Sequence, residues 1–576
     1  MDLIFDIETD DVNATKIWCI VCQDFQTRTI YKFGPDKIET GLNFLQQADT
    51  LIGHNIIGFD IPVIKKLTTV DLYSKKIVDT LVLSRLFNPV RDKGHSLEVW
   101  GHRLGFNKID FENFQEYSPE MLSYCVNDVR LNTLLYDKLL EEGKDFSKQS
   151  IQLEHDIFKI IKTQEDNGFL FKEREANIFV AELREKLSNI ETEVHETFKP
   201  RWVDVKEVKP KLKKDGTLSK SGLTSVEYEE RVATNDTTPF MRQTLQEFNL
   251  GSRKQIGEYL IEFGWKPDRF TPTGQPIVDE GTLSKIKDIP EAELICRYLL
   301  LQKRIAQINS WIEAVTDDGR VHGFVIPNGT ITGRMTHRNP NMAQVPSVHS
   351  EYGKECRSLW VVEEGNKLVG VDASQLELRM LAHYMKDEEY IYEITQGDIH
   401  TYNQKLAGLK SRDEAKVFIY ALCYGAGNQK IGKIVGGNAR RGGQLRERFF
   451  GSSPAFATLN KQVQRAAGKG FLKGLDGRKL FIRSEHAALN TLLQGGGAIL
   501  MKKALQILDN RLKLSNTPYK FVANIHDEWQ IEVPACSARK VGELAVKSIQ
   551  EAGEHFKLRC PMDGEYKIGD NWSETH

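Results

Sequence analysis

The stretch KLVGVDASQLELRMLAHY, Lys367 to Tyr384, changes character in its middle. Its first residues alternate as a strand does, and after Asp372 the apolar residues recur at helical spacing, so Asp372 stands at a strand end beside a helix start. Far downstream, FVANIHDEWQIEV, Phe521 to Val533, reads as two alternating strands joined by a turn that carries His526, Asp527 and Glu528. A tight hairpin lifts Asp527 toward whatever faces it. Taken singly, each acid is an ordinary turn residue. Brought together, two aspartates can share two Mg²⁺ ions, one lowering the pKa of an attacking hydroxyl and one neutralising a triphosphate and its departing pyrophosphate.

Between these segments lies RDEAKVFIYALCYGAG, Arg412 to Gly427. Arg412, Lys416, Tyr420 and Tyr424 recur every four residues and so share one helix face. Two cations on that face can grip triphosphate oxygens, and Tyr420 offers a plane against which a base or sugar packs. Chance spacing on a solvated helix is the alternative, and the flanking acids argue against it.

A second set of acids sits near the amino terminus. In LIFDIET, Leu3 to Thr9, the carboxylates of Asp6 and Glu8 project from one strand face. HNIIGFD then supplies Asp60, and YCVND supplies Asp128, one helical turn after Tyr124. Four hard oxygen donors suit paired Mg²⁺ or Mn²⁺ ions, which can activate a water and stabilise the leaving oxygen of a phosphodiester.

At 576 residues the chain is too long for one core, so three or four domains are expected. The net charge of −2 hides a local division: residues 1–147 hold 23 acidic and 16 basic side chains, residues 385–490 hold 10 acidic and 18 basic. One end suits divalent cations, the other phosphates. Eight cysteines are too few for a disulfide scaffold, and the Cys19/Cys22 pair inside IWCIVC reads as two core thiols. No apolar run is long enough to span a membrane and MDLIFDIETD opens directly into a strand, so a cytoplasmic, unprocessed chain is expected. Residues 1–147 read as a compact α/β domain. Two long helices are expected around Gly168, and residues 199–247 lose periodicity and gain Lys, Pro, Gly and Thr, as an exposed insertion or mobile loop does. Apolar order resumes near Phe248.

The order D-x-E, N-x-x-x-F-D, Y-x-x-x-D resembles the DEDD proofreading 3′→5′ exonucleases of the subtype that carries Tyr. The resemblance implies a ribonuclease H-like fold, metals held by Asp6, Glu8, Asp60 and Asp128, and an attacking water oriented by Tyr124. DASQLELR, RDEAKVFIYALCYGAG and HDE resemble the palm and fingers motifs of family A DNA polymerases, the bacterial polymerase I-like family, in its phage T-seven replicase branch. TLVLSRLF, GDIHT, NGTITGRMTHRNPNMAQVP, KGLDGRK and HAALNTLLQ extend the likeness in order along nearly the whole chain. It implies a right-hand polymerase: exonuclease 1–147, thumb 148–306 with a basic insertion at about 199–247, palm 307–384 and 490–576, and fingers 385–489. The fold class is thus multidomain α/β and α+β.

By the same resemblance, Asp372 and Asp527 bind the catalytic Mg²⁺ pair (Mn²⁺ being an alternative), assisted by the Ala373 carbonyl. Glu377 excludes a ribose 2′-hydroxyl, while His400, Arg412, Lys416, Tyr420 and Tyr424 surround the incoming nucleotide. Arg334 and Gln494 belong in the minor groove of primer-template DNA. His526 and Glu528 belong near the primer end. Implied partners are primer-template DNA, dNTPs, a phage helicase-primase and a single-strand binding protein, in the host cytoplasm. In the phage T-seven enzyme a larger thumb insertion binds host thioredoxin; the roughly fifty Lys-containing residues here imply independence of thioredoxin and direct contact with duplex backbone.

Other readings account for less. A stand-alone 3′→5′ exonuclease leaves both distant aspartates and the cationic helix idle. A single-subunit RNA polymerase is not expected to carry a proofreading domain or a Glu at position 377. A non-catalytic DNA-binding scaffold gives no reason for every metal acid to be present.

Overall fold

In the computed structural model, which describes residues 1–576, the strands β1 (Asp2–Thr9), β2 (Ile17–Asp24), β3 (Ile30–Phe33), β4 (Thr50–Gly53) and β5 (Lys76–Asp79) form one sheet of order β3-β2-β1-β4-β5. β1 runs antiparallel to β2 and parallel to β4. Leu3, Phe5 and Ile7 pack on one face with Ile20, Cys22 and Leu51. Ile4 points the other way, into a cluster with Cys19, Val21, Cys125 and Val129. The two-residue period therefore carries Asp6 and Glu8 to the side covered by the helix Pro119–Glu142, which bears Asp128. Each buried aliphatic side chain contributes about 1.5–3 kcal/mol to holding that helix in place. Cys19 and Cys22 fall in the two different clusters, so they face opposite ways and share no ligand; both are free thiols, as the core reading expects.

A four-stranded antiparallel sheet forms the second centre. Its order is Lys520–Ile525, Glu528–Pro534, Asn366–Ala373, Gly564–Gly569. Gly370 lies where the chain's last residues cross this sheet: a Cβ there would come within 2.2 Å of the Thr575 carbonyl. Helix Ala538–His555 covers one face, and the long helix Ala488–Leu514 packs on it. Between the sheet's first and second contributing segments run the helices Ile399–Ala407, Arg412–Cys423, Asn428–Ile434, Ala439–Ser452 and Pro454–Ala467. No helix is long and apolar enough to cross a membrane.

Two compact units result: Met1–Lys172 with Ala314–His576, and Glu173–Glu313. Helix Lys148–Asn167 belongs to the first unit because its Glu154, 1% exposed, accepts from Lys502 Nζ at 2.7 and 2.9 Å and also pairs with Arg478. Arg478 is in turn held by Asp476, with Nη2 2.7 Å from Oδ2. Buried charges must be paired where they lie, so this cluster fastens the helix to residues more than three hundred positions away.

The second unit contains the helices Glu173–Thr197 and Pro290–Ile312, packed together. The expected break at Gly168 is present, with φ +61°. The exposed insertion or mobile loop expected at 199–247 is an exposed insertion with its own secondary structure. Arg201–Val208 pairs antiparallel with Phe240–Gln246, and helix Ser225–Val232 begins at a Thr224/Glu227 capping box. Stacked Phe198 and Phe248, ring centroids 4.5 Å apart, close the base of this ribbon. Trp202, 66% exposed, and Leu245, 50% exposed, sit opposite each other on one open face, and the other face mixes half-buried Val203 and Phe240 with Arg201, Lys206 and Arg242, so no alternating apolar stripe advertises the strands.

Glu154→Ala should leave Lys502 an unpaired buried cation, with Arg478 keeping only Asp476, and cost about 3–5 kcal/mol. Urea unfolding of the intact chain measures this; a loss under about 1 kcal/mol would mean the cluster is open to water.

Two candidate active sites

The amino-terminal acids converge. Asp60 opens the helix Asp60–Leu67 and its Oδ1 accepts from the Ile7 amide at 3.2 Å, which sets it between Asp6 and Glu8 along β1. From the facing helix, Cys125 Sγ lies 3.6 Å from the Asp6 carbonyl, and Asp128 follows one turn after Tyr124. Glu8, Asp60 and Asp128 are all buried. Burial, then the neighbouring Asp60, Glu8 and Asp128, pushes the Asp6 carboxyl well up. Burial raises Glu8 to about 9 and Asp60 to about 7. Asp128 Oδ1 is buried with no hydrogen-bond partner. Four carboxylates crowded out of water with an orphaned oxygen form a set that divalent cations satisfy. Cys125 also lies within reach of Asp6 and Glu8. Burial pushes its thiol pKa up, and the thiol donates to the Asp6 carbonyl, packing beside the carboxylates.

Sequence reasoning missed Lys108, whose Nζ is 2.6 Å from Asp128 Oδ2 and 4.8 Å from the centroid of the Tyr124 ring. It lies between helices in an irregular stretch, where no periodicity points to it. Phe111 and Phe114 pack on Tyr124 from the same stretch, at 5.6 and 5.9 Å between centroids.

The second constellation is built where the four-stranded sheet meets the helices. Asp372 pairs across the ladder with Glu528, and the Ala373 amide donates to the Asp527 carbonyl at 3.2 Å. His526 makes the two-residue turn with φ +58°, a strained conformation for a non-glycine residue that the paired strands enforce. Asp372, Ala373, His526 and Asp527 thus open onto one cleft of about 570 Å³. Arg334, Glu377, His400, Arg412, Lys416, Tyr420 and Tyr424 line it as well. Burial, then Asp527 and Glu528, raises Asp372 to about 7; burial raises Asp527.

Local capping positions the cationic face. Ser411 accepts from the Glu414 amide and starts the helix Arg412–Cys423, so that Arg412, Lys416 and Tyr420 descend along the cleft. Asp398 caps the helix Ile399–Ala407 and receives Arg412 Nε at 2.7 Å. His400 is buried; burial, then Arg412 and Lys416, lowers its pKa, and its Nδ1 has no partner. Glu377 is pinned from two sides, by Arg334 Nη2 at 2.9 Å and by the Tyr424 hydroxyl at 2.6 Å.

Two expected residues are not brought into this cleft. Gln494 lies half-buried on the helix Ala488–Leu514, outside the lining residues. Glu528 is taken up by the chain's last residues, with Trp572 Nε1 at 2.6 Å and His576 Nδ1 at 2.7 Å from its oxygens. It supports the sheet behind Asp372 and does not face the cleft.

The model of DNA polymerase family A matches residues 221–574. The DNA-directed DNA polymerases of Enterobacteria phage T3 and Escherichia phage T7 are each 33% identical, with 100% of both chains covered. DNA polymerase I of Aquifex aeolicus (strain VF5) is 27% identical over 91% of this chain and 88% of its own. A solved structure, the POL domain of Pol1 from M. smegmatis in complex with DNA primer-template and dNTP, superposes with a TM-score of 0.80 at 17% identity. It covers 100% of this chain and 95% of that one, and shows the fold.

Carboxyls whose pKa is raised in the fold contribute stability only while protonated. For Asp60 and Asp372, at about 7, and Glu8, at about 9, that contribution is present at low pH and lost as pH rises through those values. Mg²⁺ or Mn²⁺ should therefore raise the melting temperature more at about pH 8 than at about pH 5.5. Thermal scans with and without chelator measure this; equal rises at both pH values would contradict it.

Proposed function

The chain belongs to DNA polymerase family A and is a DNA-directed DNA polymerase; we propose that it joins deoxynucleotides to a primer 3′-hydroxyl in the Asp372/Asp527 cleft and proofreads by 3′→5′ hydrolysis at the amino-terminal acids. The observation that carries the reading is the convergence in one cleft of three acids, three cations and two tyrosines from segments far apart in the chain.

The donor sets fit divalent ions: Asp372 and Asp527 with the Ala373 carbonyl would hold one pair, and Asp6, Glu8, Asp60 and Asp128 the other. Mg²⁺ suits these all-oxygen sites, with Mn²⁺ as a substitute. Bound there, such ions lower the pKa of the attacking hydroxyl or water and neutralise charge on the leaving oxygen. The chain's own residues do the rest. Arg412 and Lys416 draw the triphosphate of an incoming dNTP into the cleft. His400, whose pKa is lowered by burial and then by Arg412 and Lys416, has an unpartnered Nδ1 for the same ligand. Tyr420 provides the surface for base and sugar. Glu377, fixed by Arg334 and Tyr424, cannot swing aside for a ribose 2′-hydroxyl, which favours deoxynucleotides and counts against an RNA polymerase. His526 and Arg334 face the primer end, and Gln494 contacts the duplex from the long helix. In the nuclease site Tyr124 orients the water that attacks phosphorus as the bond to the 3′-oxygen breaks, releasing a 5′-mononucleotide. The thumb comprises the unit Glu173–Glu313, the fingers the helices from Ile399–Ala407 to Pro454–Ala467, and the palm the four-stranded sheet.

The ribbon at 199–247 is the finer part of the reading. Residues 199–220 hold eight basic and three acidic side chains, and Trp202 stands exposed among them. A phosphate backbone is the partner such a strip suits. The polymerase accordingly works without thioredoxin. It acts in the cytoplasm of an infected cell, beside a helicase-primase and a single-strand binding protein.

Asp527→Ala should reduce primer extension on the order of 10³-fold or more while single-strand degradation continues; loss of both activities in the folded variant would contradict separate sites. Reversing Lys211, Lys213 and Lys214 to Glu together should weaken DNA binding and lower its salt slope by about 1 for each phosphate contact removed. An unchanged slope, or a large gain in product length on adding thioredoxin, would overturn the ribbon's assignment.

A further inference from the structure

Lys108 occupies a place that neither packing nor solubility explains. Its side chain is three-quarters buried, and it enters a cluster in which every other charge is a carboxylate. It acts electrostatically on Asp6, Glu8 and Asp128 alike. An ion pair that only decorates a surface is exposed and worth little. This one is enclosed: Asp128 is 5% exposed, and the ammonium also lies over the ring of Tyr124. The irregular stretch that carries it is tied down on both sides. The Ile109 amide donates to Asn127 Oδ1 at 3.3 Å, and Trp18 Nε1 donates to the Phe114 carbonyl at 2.9 Å. The first of these fixes the residue after Lys108 to the residue before Asp128.

Charge balance indicates its use. Four carboxylates cancel two divalent ions, which leaves nothing for the single negative charge of a phosphodiester except Lys108. The ammonium has three donors, of which Asp128 Oδ2 takes one and Tyr124 another, leaving one. We propose that Lys108 is a further catalytic residue of the nuclease site, donating to a non-bridging oxygen of the scissile phosphate, and that in the free protein it stands on Asp128 in place of a divalent ion. The proposal rests on the nuclease reading of this cluster. Lys108 keeps its proton throughout. The water oxygen bonds to phosphorus, the bond to the 3′-oxygen breaks, the water's proton leaves to solvent and the departing oxygen is protonated from solvent.

Two consequences oppose each other in sign, and a merely structural lysine would not produce both. Removing the ammonium deletes a competitor for Asp128, so Mn²⁺ should bind the free protein more tightly. It also deletes a donor to the transition state, so degradation should slow. The test uses the full chain as wild type, Lys108→Met, Lys108→Arg and Asp6→Ala. Mn²⁺ affinity is read by electron paramagnetic resonance without DNA, and degradation of a labelled single strand is read at saturating Mn²⁺. Primer extension on the same preparations reports folding. Lys108→Met should degrade on the order of 100-fold more slowly, bind Mn²⁺ more tightly, and be largely rescued by Lys108→Arg. Degradation by Lys108→Met within about twofold of wild type, or slow degradation with weakened Mn²⁺ binding, overturns the proposal. If wild type itself degrades no faster than Asp6→Ala, the nuclease reading fails, and the role of Lys108 with it.

Discussion

The pairing of strand Asn366–Ala373 with strand Glu528–Pro534 is the constraint from which the Asp372/Asp527 cleft follows. Backbone bonds fix the register, Asp372 opposite Glu528, and the Ala373–Asp527 bond closes the ladder at the acid end. Neither aspartate is free to retreat from the other, since one ends a central strand and the other sits in a two-residue turn. Burial first, and then the nearby Asp527 and Glu528 carboxylates that the sheet holds in place, raise the pKa of Asp372. The cationic helix face opposite needs only Ser411 to start it in phase.

The amino-terminal site obeys the same logic with different parts. A strand's alternation aligns Asp6 with Glu8, a helix start delivers Asp60, and a packed helix delivers Asp128. In both places the fold spends hydrophobic burial to hold like charges together, a local conflict of the kind that marks functional sites. Glu154, Lys502 and Arg478 show the contrasting case, where buried charges neutralise one another and serve the fold alone.

Much of this was legible in the sequence wherever a short period reported a face. The alternation in LIFDIET gave the side of β1 that bears the acids, and the four-residue recurrence from Arg412 to Tyr424 gave the helix face that enters the cleft. Legibility failed where position depends on contacts remote in sequence. Nothing local announces that Glu154, on helix Lys148–Asn167, meets Lys502. The ribbon at 199–247 carries exposed residues on both faces, so its strands lack the apolar stripe that would reveal them. Lys108 sits in irregular chain, and the engagement of Glu528 by Trp572 and His576 depends on where the last residues fold back.

The central claim is that the Asp372/Asp527 hairpin geometry exists to hold divalent ions at the point of bond formation. Anomalous diffraction at the manganese edge, from crystals of the chain with primer-template, Mn²⁺ and an incoming nucleotide, addresses it most directly. The account predicts a peak within roughly 2.0–2.3 Å of oxygens from both aspartates at once. Ions found elsewhere while both carboxylates remain metal-free would contradict it.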